Sequence, residues 1–201
     1  MSPRPLAAIA LLGAIALGAC TTMPTRPVEV TRFHAPAAQL GVGAISVVPA
    51  PSLGTGSPSF ELGVYQAAVS RELARVGYTP VGPGDQGRFI AEVRLDRQAF
   101  RPDRRRGPVS VGVGGSTGSY GSGVGVGIGI DLSGGPKEQV ATELGVMIKD
   151  RASGATLWEG RASSMVQANT PLGTPANDAA RLAAALFRDF PGRSGETIAV
   201  P

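Results

Sequence analysis

Carboxylates in predicted β-strands are the residues of this 201-residue chain best placed to do chemistry. They are Glu92, Asp96, Glu143 and Glu159. Two carboxylates that face one cleft can serve as the acid and base of a glycoside hydrolase. All four, however, fall on the polar side of an apolar/polar alternation, which favours solvated strand faces over a catalytic pair.

Other reactive side chains are sparse. The chain has one histidine, His34, and a lone histidine without a Cys or acidic cluster at ligand spacing does not predict a metal site. The sequence has no G-x-S-x-G nucleophile elbow, because its one match, GGSTG at 114–118, lies in a glycine-rich stretch that no predicted helix follows before Pro136. Lys137 and Lys149 fit no phosphate-binding loop. We therefore expect a protein that is not an enzyme and that holds no metal or cofactor, with a hydrolase as the alternative.

Two glycine-rich stretches could be taken for nucleotide loops. Residues 82–87, GPGDQG, precede a predicted strand, whereas a dinucleotide site needs a helix N-terminus after the loop. Residues 109–130, VSVGVGGSTGSYGSGVGVGIGI, keep Val and Ile at every second position, which a linker would not do. They predict a hairpin of two weak strands, with one glycine face, at the edge of the sheet.

The first twenty residues predict an export signal and a lipid anchor. The apolar run Leu6–Ala19 is shorter than the roughly 20 residues that span a bilayer. It ends in Leu17-Gly18-Ala19-Cys20, which resembles the lipobox of bacterial lipoproteins, in which the cysteine thiol receives the lipid. An ordinary signal peptide that carries a cysteine near its cleavage site is the alternative.

Lipidation of Cys20 implies a protein anchored in the cell envelope. Thr21, rather than an aspartate, resembles the sorting pattern for the periplasmic face of the outer membrane and disfavours the inner membrane. The covalent lipid on Cys20 is the only non-protein group expected. We expect residues 1–19 to be a signal peptide and residues 20–40, which are rich in proline, to be a lipidated tether.

The charge of the chain does not indicate a nucleic-acid partner. Its formal net charge is +4, and removal of Arg4 with the signal peptide lowers this by one, which is a mild excess. Five arginines that lie close together could contact anionic lipid or an envelope glycan, with a solvated loop as the alternative. They are Arg97, Arg101, Arg104, Arg105 and Arg106.

Residues 41–192 predict a single α+β domain, with a small, mostly antiparallel sheet packed against two helices. Alternating segments predict strands at 42–48, 88–98, 140–149 and 155–166, the last two joined by a turn. The glycine-rich insert spans 107–135, and the tail at 193–201 is predicted to be loose.

Apolar spacing and terminal residues predict the two helices. The first begins after Ser57-Pro58 and ends at Gly77, and the second begins at Thr174-Pro175 and carries its apolar side to Phe190. Trp158, in the last predicted strand, is expected to pack on the helices, and the alternative is an aromatic platform for a ligand.

The order of these elements resembles the bacterial lipoprotein family called domain of unknown function 4136. The resemblance covers about residues 30–192. The residues that carry it are Leu73, Gly77, Tyr78, Asp150, Gly154, Leu157, Trp158, Glu159, Gly160, Phe190 and Pro191. It implies a periplasm-facing α+β domain and supplies no catalytic residues.

Together these features predict a non-enzymatic envelope lipoprotein that contacts the membrane through its lipid and binds an envelope protein or glycan. Two alternatives remain open. One is a hydrolase of envelope glycan or cell wall that uses strand carboxylates. The other is a component of envelope assembly or transport, in which the glycine-rich segment inserts into a membrane or pairs with copies of itself.

Overall fold

Nine strands and two α-helices make up the described part of the chain. The computed structural model describes residues 26–36, 38–51, 59–82, 84–102, 109–118, 121–130 and 137–201. The strands are β1 (Val28–His34), β2 (Gly43–Pro49), β3 (Tyr78–Pro80), β4 (Phe89–Phe100), β5 (Val109–Gly118), β6 (Gly121–Ile130), β7 (Gln139–Asp150), β8 (Thr156–Gln167) and β9 (Thr197–Val200). The helices are α1 (Phe60–Arg75) and α2 (Pro175–Leu186), and a short 3₁₀ helix, Pro171–Gly173, precedes α2.

Seven strands form one sheet in the order β3-β2-β4-β7-β8-β1-β9. Pairing is antiparallel from β4 to β9, whereas β2 pairs in parallel with both β3 and β4. Helix α1 supplies the crossover that a parallel return requires. The α+β class, the mostly antiparallel sheet and the two helices are confirmed, but the expected small sheet is wrong, because the sequence analysis missed β1, β3 and β9.

Strand β1 lies inside the predicted tether at residues 20–40. Its residues Val28, Val30 and Arg32 are buried, and it pairs with β8 on one side and β9 on the other. Strand β9 lies in the tail predicted to be loose, where Val200 is 6% exposed. Both predictions are corrected: prolines around β1 hid an apolar alternation, and β9 is ordered only because β1 gives it a partner.

The helix boundaries follow local capping chemistry. Helix α1 begins after Ser59, whose hydroxyl accepts a hydrogen bond from Leu62 N at 3.1 Å, so the predicted start after Ser57-Pro58 was two residues early. Residues 52–58 lie outside the described ranges. The helix ends where Gly77 adopts φ 105°, as predicted for a left-handed C-terminal glycine. Helix α2 begins at Pro175, as predicted, but ends at Leu186 rather than near Phe190.

Both helices pack on one face of the sheet and enclose the core. Trp158 is fully buried and stacks on Phe187 at 5.3 Å between ring centroids, and its indole N–H donates to Pro191 O at 3.0 Å. The predicted packing of Trp158 on the helical layer is confirmed. Arg32 reaches the same layer, where its guanidinium donates to the carbonyls of Ala185 and Leu186 at 2.9 Å each. These hydrogen bonds give partners to carbonyls at the C-terminal end of α2 that have none within the helix.

The backbones of β5 and β6 pair with each other in antiparallel register from Val109↔Ile130 to Gly118↔Gly121. They form a two-stranded sheet that is separate from the seven-stranded sheet. The expectation that these strands join the edge of the main sheet is therefore wrong.

Candidate functional site

One side of the main sheet is left uncovered by the two helices. The buried residues of β4, β7 and β8 alternate with more exposed ones. Every second side chain of these strands therefore points away from the helices. We call this uncovered side, formed by the outward residues of β4, β7, β8 and β1, the open face. It is the surface on which four strands place polar side chains side by side.

Register aligns these outward residues into rows that cross the strands. The arginine row consists of Arg94, Gly145, Arg161 and Thr31. The carboxylate row, two residues further along β4, consists of Asp96, Glu143, Ser163 and Glu29. Two residues of strand span about 6.6 Å, so the two rows of opposite charge are close neighbours.

A depression of about 520 Å³ lies over the carboxylate row. Its lining includes Asp96, Glu143 and Glu29 from three strands, together with Arg26 and Met165. Because three carboxylates line this depression, a cationic group is the ligand that would fit it best. Among the described residues, no group of three or more His, Cys, Asp or Glu side chains is arranged to hold a metal ion.

The structure separates the predicted carboxylates into two kinds. Glu92 is neutralised by Lys149 Nζ at 2.7 Å, and Glu159 accepts from Arg161 at 3.1 Å. Asp96 and Glu143 lie directly opposite each other on β4 and β7, a position that brings Cβ atoms to about 4.5–5.5 Å.

The carboxylate row has one member that the sequence analysis missed. Glu29 lies on β1, a strand hidden in the predicted tether, and it pairs in register with Ser163. The available signal was the alternation in VEVTRF at 28–33, which has the period of a half-buried strand.

The predicted arginine cluster is divided by the fold. Arg97 points toward the helices, where it lies 3.0 Å from Glu61 Oε1 and donates to Gly173 O at 2.5 Å, apart from the exposed Arg101. Arg101 is 77% exposed in its side chain and lies 3.9 Å from Glu138. Residues 104–106, which hold Arg104, Arg105 and Arg106, lie outside the described ranges, as do Leu17, Gly18, Ala19 and Cys20.

A second polar cluster is buried between the helices and the sheet. Asp178 is fully buried and accepts hydrogen bonds from Tyr65 Oη at 2.9 Å and Ser164 Oγ at 3.0 Å. Burial, and then the neighbouring Asp178 carboxylate, raise the pKa of Tyr65 well above its ordinary value of 10.0. Because Asp178 has no exposed surface, the cluster joins α1, α2 and β8 rather than meeting a substrate.

The single histidine does structural work in β1. His34 Nε2 lies 3.2 Å from Gly192 O, which ties the strand to the segment after α2. Within the described ranges, no helix combines the length and apolarity needed to cross a membrane.

The fold and the open face define an α+β domain whose sheet is covered by helices on one side only. The chain belongs to the family described as Domain of unknown function (DUF4136), whose model matches residues 53–192. It is also similar to an uncharacterized protein of Zymomonas mobilis subsp. mobilis, with 30% identity over 86% of this chain and 80% of that protein.

The chain is also similar to two solved structures at low sequence identity. A PDZ domain protein from Parabacteroides distasonis aligns with 87% of this chain at 12% identity and a TM-score of 0.45, and the chain spans 39% of that protein's length. The PelC dodecamer from Paraburkholderia phytofirmans aligns with 83% of this chain and 99% of its own at 12% identity, also with a TM-score of 0.45.

Proposed function

We propose that this protein is a lipid-anchored envelope lipoprotein that faces the periplasm from the outer membrane and binds an envelope protein or glycan through its open face, without catalysis. The observation that carries the proposal is the one-sidedness of the sheet. Helices bury one side, while the other carries a depression and two rows of charge.

The lipobox sequence supports the location. Strand β1 begins at Val28, so only residues 21–27 separate it from Cys20. A chain of this length spans at most about 28 Å. Lipidation of Cys20 would therefore hold the domain close to the bilayer, where its surface meets other envelope components.

The lipid anchor is tested by fractionating cells that express the full chain in the presence of a labelled fatty acid. The wild type should carry the label and sediment with the outer membrane, and Cys20→Ala should lose both. Thr21→Ala is the matched control, because it leaves the thiol in place. A Cys20→Ala variant that keeps the label and the outer-membrane location would contradict the proposal.

Binding at the open face is tested by placing a photo-crosslinking residue at Ser163, in the depression, in living cells. A discrete crosslinked product is expected, and Asp96→Asn with Glu143→Gln should weaken it. The control is the same residue at Arg71, which is exposed on the opposite, helical side. Equal products from both positions would remove the support for the open face.

The hydrolase alternative is favoured by one specific observation, the opposition of Asp96 and Glu143 in the depression. Retaining glycosidases place two carboxyl groups about 5–5.5 Å apart. If the protein cleaves an envelope glycan, Asp96→Asn or Glu143→Gln should abolish turnover, while Glu92→Gln should not. Activity that survives both substitutions would eliminate this alternative.

The assembly or transport alternative depends on the glycine-rich segment. A stable hairpin, with β5 paired to β6, would slow amide hydrogen exchange at every second position of 109–118 and 121–130 in the intact lipoprotein. Rapid exchange throughout both ranges would contradict the hairpin. Loss of a membrane-bound assembly on deletion of 109–130 would support this alternative.

A further inference from the structure

We infer that two copies of this chain associate through their open faces, about a two-fold axis that runs across the strands between the arginine row and the carboxylate row. The inference uses the surface of the proposed function and identifies its partner as a second copy. It rests on the charges that register places on the open face.

The two rows are complementary to each other under this axis. Rotation by 180° about a line between the rows lays the arginine row of one copy over the carboxylate row of the other, and the reverse contact forms at the same time. Arg94 then faces Asp96 of the second copy, since both lie on β4. Arg161 faces the second copy's Ser163, with Glu143 and Glu29 on either side of it.

The charge pattern excludes the other in-plane axis. A two-fold axis parallel to the strands through the middle of the face would place each row against itself, so that Asp96 faces Glu29 of the second copy and no arginine faces a carboxylate. Juxtaposed like charges disfavour association strongly. Only the axis across the strands lays the arginine row over the carboxylate row, with Arg94 directly opposite Asp96 of the second copy.

The flanking rows match under the same axis. Phe100, which is 39% exposed, falls opposite Ile90 of the second copy, and Met147 falls opposite Ala141. Gln98 meets Glu92, so an amide donor faces a carboxylate. Two apolar pairs thus form on β4 and β7, whereas on β8 Glu159 falls opposite Met165 of the second copy.

Within the described residues, Arg161 is the one charged member of the two rows that forms an ion pair in its own copy, with Glu159 at 3.1 Å. Across the described residues, Arg94, Asp96, Glu143 and Glu29 enter no ion pair within 4.0 Å. The depression over the carboxylate row has room for the guanidinium groups that the second copy would bring. A guanidinium group can donate two parallel hydrogen bonds to a carboxylate, and such charge-assisted hydrogen bonds are stronger than neutral ones.

The size of the open face fits a stable interface. Strands β4, β7 and β8 are 12 residues long. With β1, which has 7 residues, they form four strands about 4.8 Å apart, which at about 3.3 Å per residue gives about 700 Å² per copy. Specific protein interfaces bury about 800 Å² on each partner.

The geometry also suits two lipid anchors in one bilayer. The axis crosses β1 near Val30, so Val28 at the start of the strand lies two residues from it. With facing sheets about 10 Å apart, the two Val28 residues are about 17 Å from each other. The two β1 strands run in opposite directions at the same lateral side of the pair, and a stretch of the length of residues 21–27 in each copy is long enough to connect both to one membrane surface.

The test uses the full lipidated chain in detergent, with its mass measured by sedimentation equilibrium. A dimer is expected, and raising the salt concentration should weaken it, because the paired charges are screened. Arg94→Asp and Asp96→Arg should each weaken self-association at least about tenfold, since each places like charges face to face. Arg71→Asp, on the exposed side of α1, is the matched control and should leave the dimer unchanged.

Mixing the two variants gives the decisive result. The Arg94→Asp copy and the Asp96→Arg copy present opposite charges at both contacts, so the mixture should form heterodimers although each variant alone associates only weakly. Restored association also shows that both variants are folded.

Three outcomes would overturn the inference. They are a wild type that stays monomeric at every concentration, a dimer insensitive to both reversals, and a mixture that does not associate. A dimer lost only on deletion of 109–130 would instead assign the contact to the glycine-rich segment. None of these outcomes affects the Cys20 fractionation, so failure of the dimer is distinguishable from failure of the proposed function.

Discussion

The two faces of the main sheet are formed by the same strands but are under different packing and hydrogen-bonding constraints. On β7, Leu144, Val146 and Ile148 point toward the helices and are at most 2% exposed, whereas Glu143 on the other side is exposed. The covered face must fill space and satisfy every polar atom. The open face has no such constraint, so its charges are free to serve a partner.

Two aspartates show the difference most clearly. Asp178 has no exposed surface and accepts two side-chain hydroxyl hydrogen bonds, while Asp96 is exposed and accepts one from Gln98 at 3.1 Å. A buried carboxylate without partners would destabilise the fold, so Tyr65 and Ser164 are required beside Asp178. The comparison predicts that substitutions on the covered face change stability, whereas those on the open face change association.

The largest effect is expected at Trp158. Trp158→Ala removes a fully buried ring that stacks on Phe187, so the free energy of unfolding should fall by about 3–5 kcal/mol. Chemical denaturation followed by circular dichroism measures it. Phe33→Ala, on the open face where Phe33 is 53% exposed, is the control and should cost less than about 1 kcal/mol. Equal losses of unfolding free energy in the two variants would contradict the expected difference between the faces.

The buried carboxylate gives the next effect. Asp178→Ala leaves the hydroxyls of Tyr65 and Ser164 without their acceptor, which should lower stability by about 2–4 kcal/mol. Asp96→Ala should stay within about 0.5 kcal/mol of the wild type in the same denaturation assay. A neutral Asp178→Ala would show that the buried cluster does not hold the helices to the sheet.

Two glycines on adjacent strands sharpen the comparison. An added Cβ at Gly160 would overlap the Trp158 ring and lie 2.8 Å from Leu186 Cδ1, so Gly160→Ala should cost about 1–3 kcal/mol. At Gly145, on the open face, the Cβ would meet Arg94 Cβ at 3.7 Å, an ordinary contact. Gly145→Ala should therefore be neutral or slightly stabilising, and thermal unfolding of both variants would reveal any reversal.

The smallest effect is a pH dependence from Tyr65. Its pKa is raised in the folded state by burial and by Asp178, so the folded state keeps its proton at pH values where the unfolded state loses it. The stabilisation is fully present below about pH 10, the ordinary pKa of tyrosine, and is lost as the pH rises above it. Tyr65→Phe should flatten this decline in denaturation measured from pH 8 to 11, and Asp96→Asn should not.

Strand and helix prediction succeeded where the local pattern was complete. The alternation in β4, β7 and β8 and the terminal Gly77 of α1 were read correctly, because period and capping act within a few residues. Strands β1, β3 and β9 were missed, since each is too short or too close to proline to be recognised without its partner. Asp178 also escaped notice, because an aspartate in the first turn of a helix is ordinarily exposed.

The candidate site was only partly predictable for the same reason. All four strand carboxylates were recognised as lying on the polar alternation, but the separation of Asp96 and Glu143 from the ion-paired Glu92 and Glu159 depends on register across strands. Arg97 was grouped with its sequence neighbours, whereas its position on the covered side of β4 sends it to Glu61.

The sequence by itself determined the apolar run that ends at Cys20, the alternation of the central strands and the family resemblance, because each is a property of consecutive residues. Tertiary structure alone decided that residues 28–34 and 197–200 complete the sheet. It also decided which charges stand side by side on the open face, since rows across a sheet depend on the pairing of strands far apart in the chain.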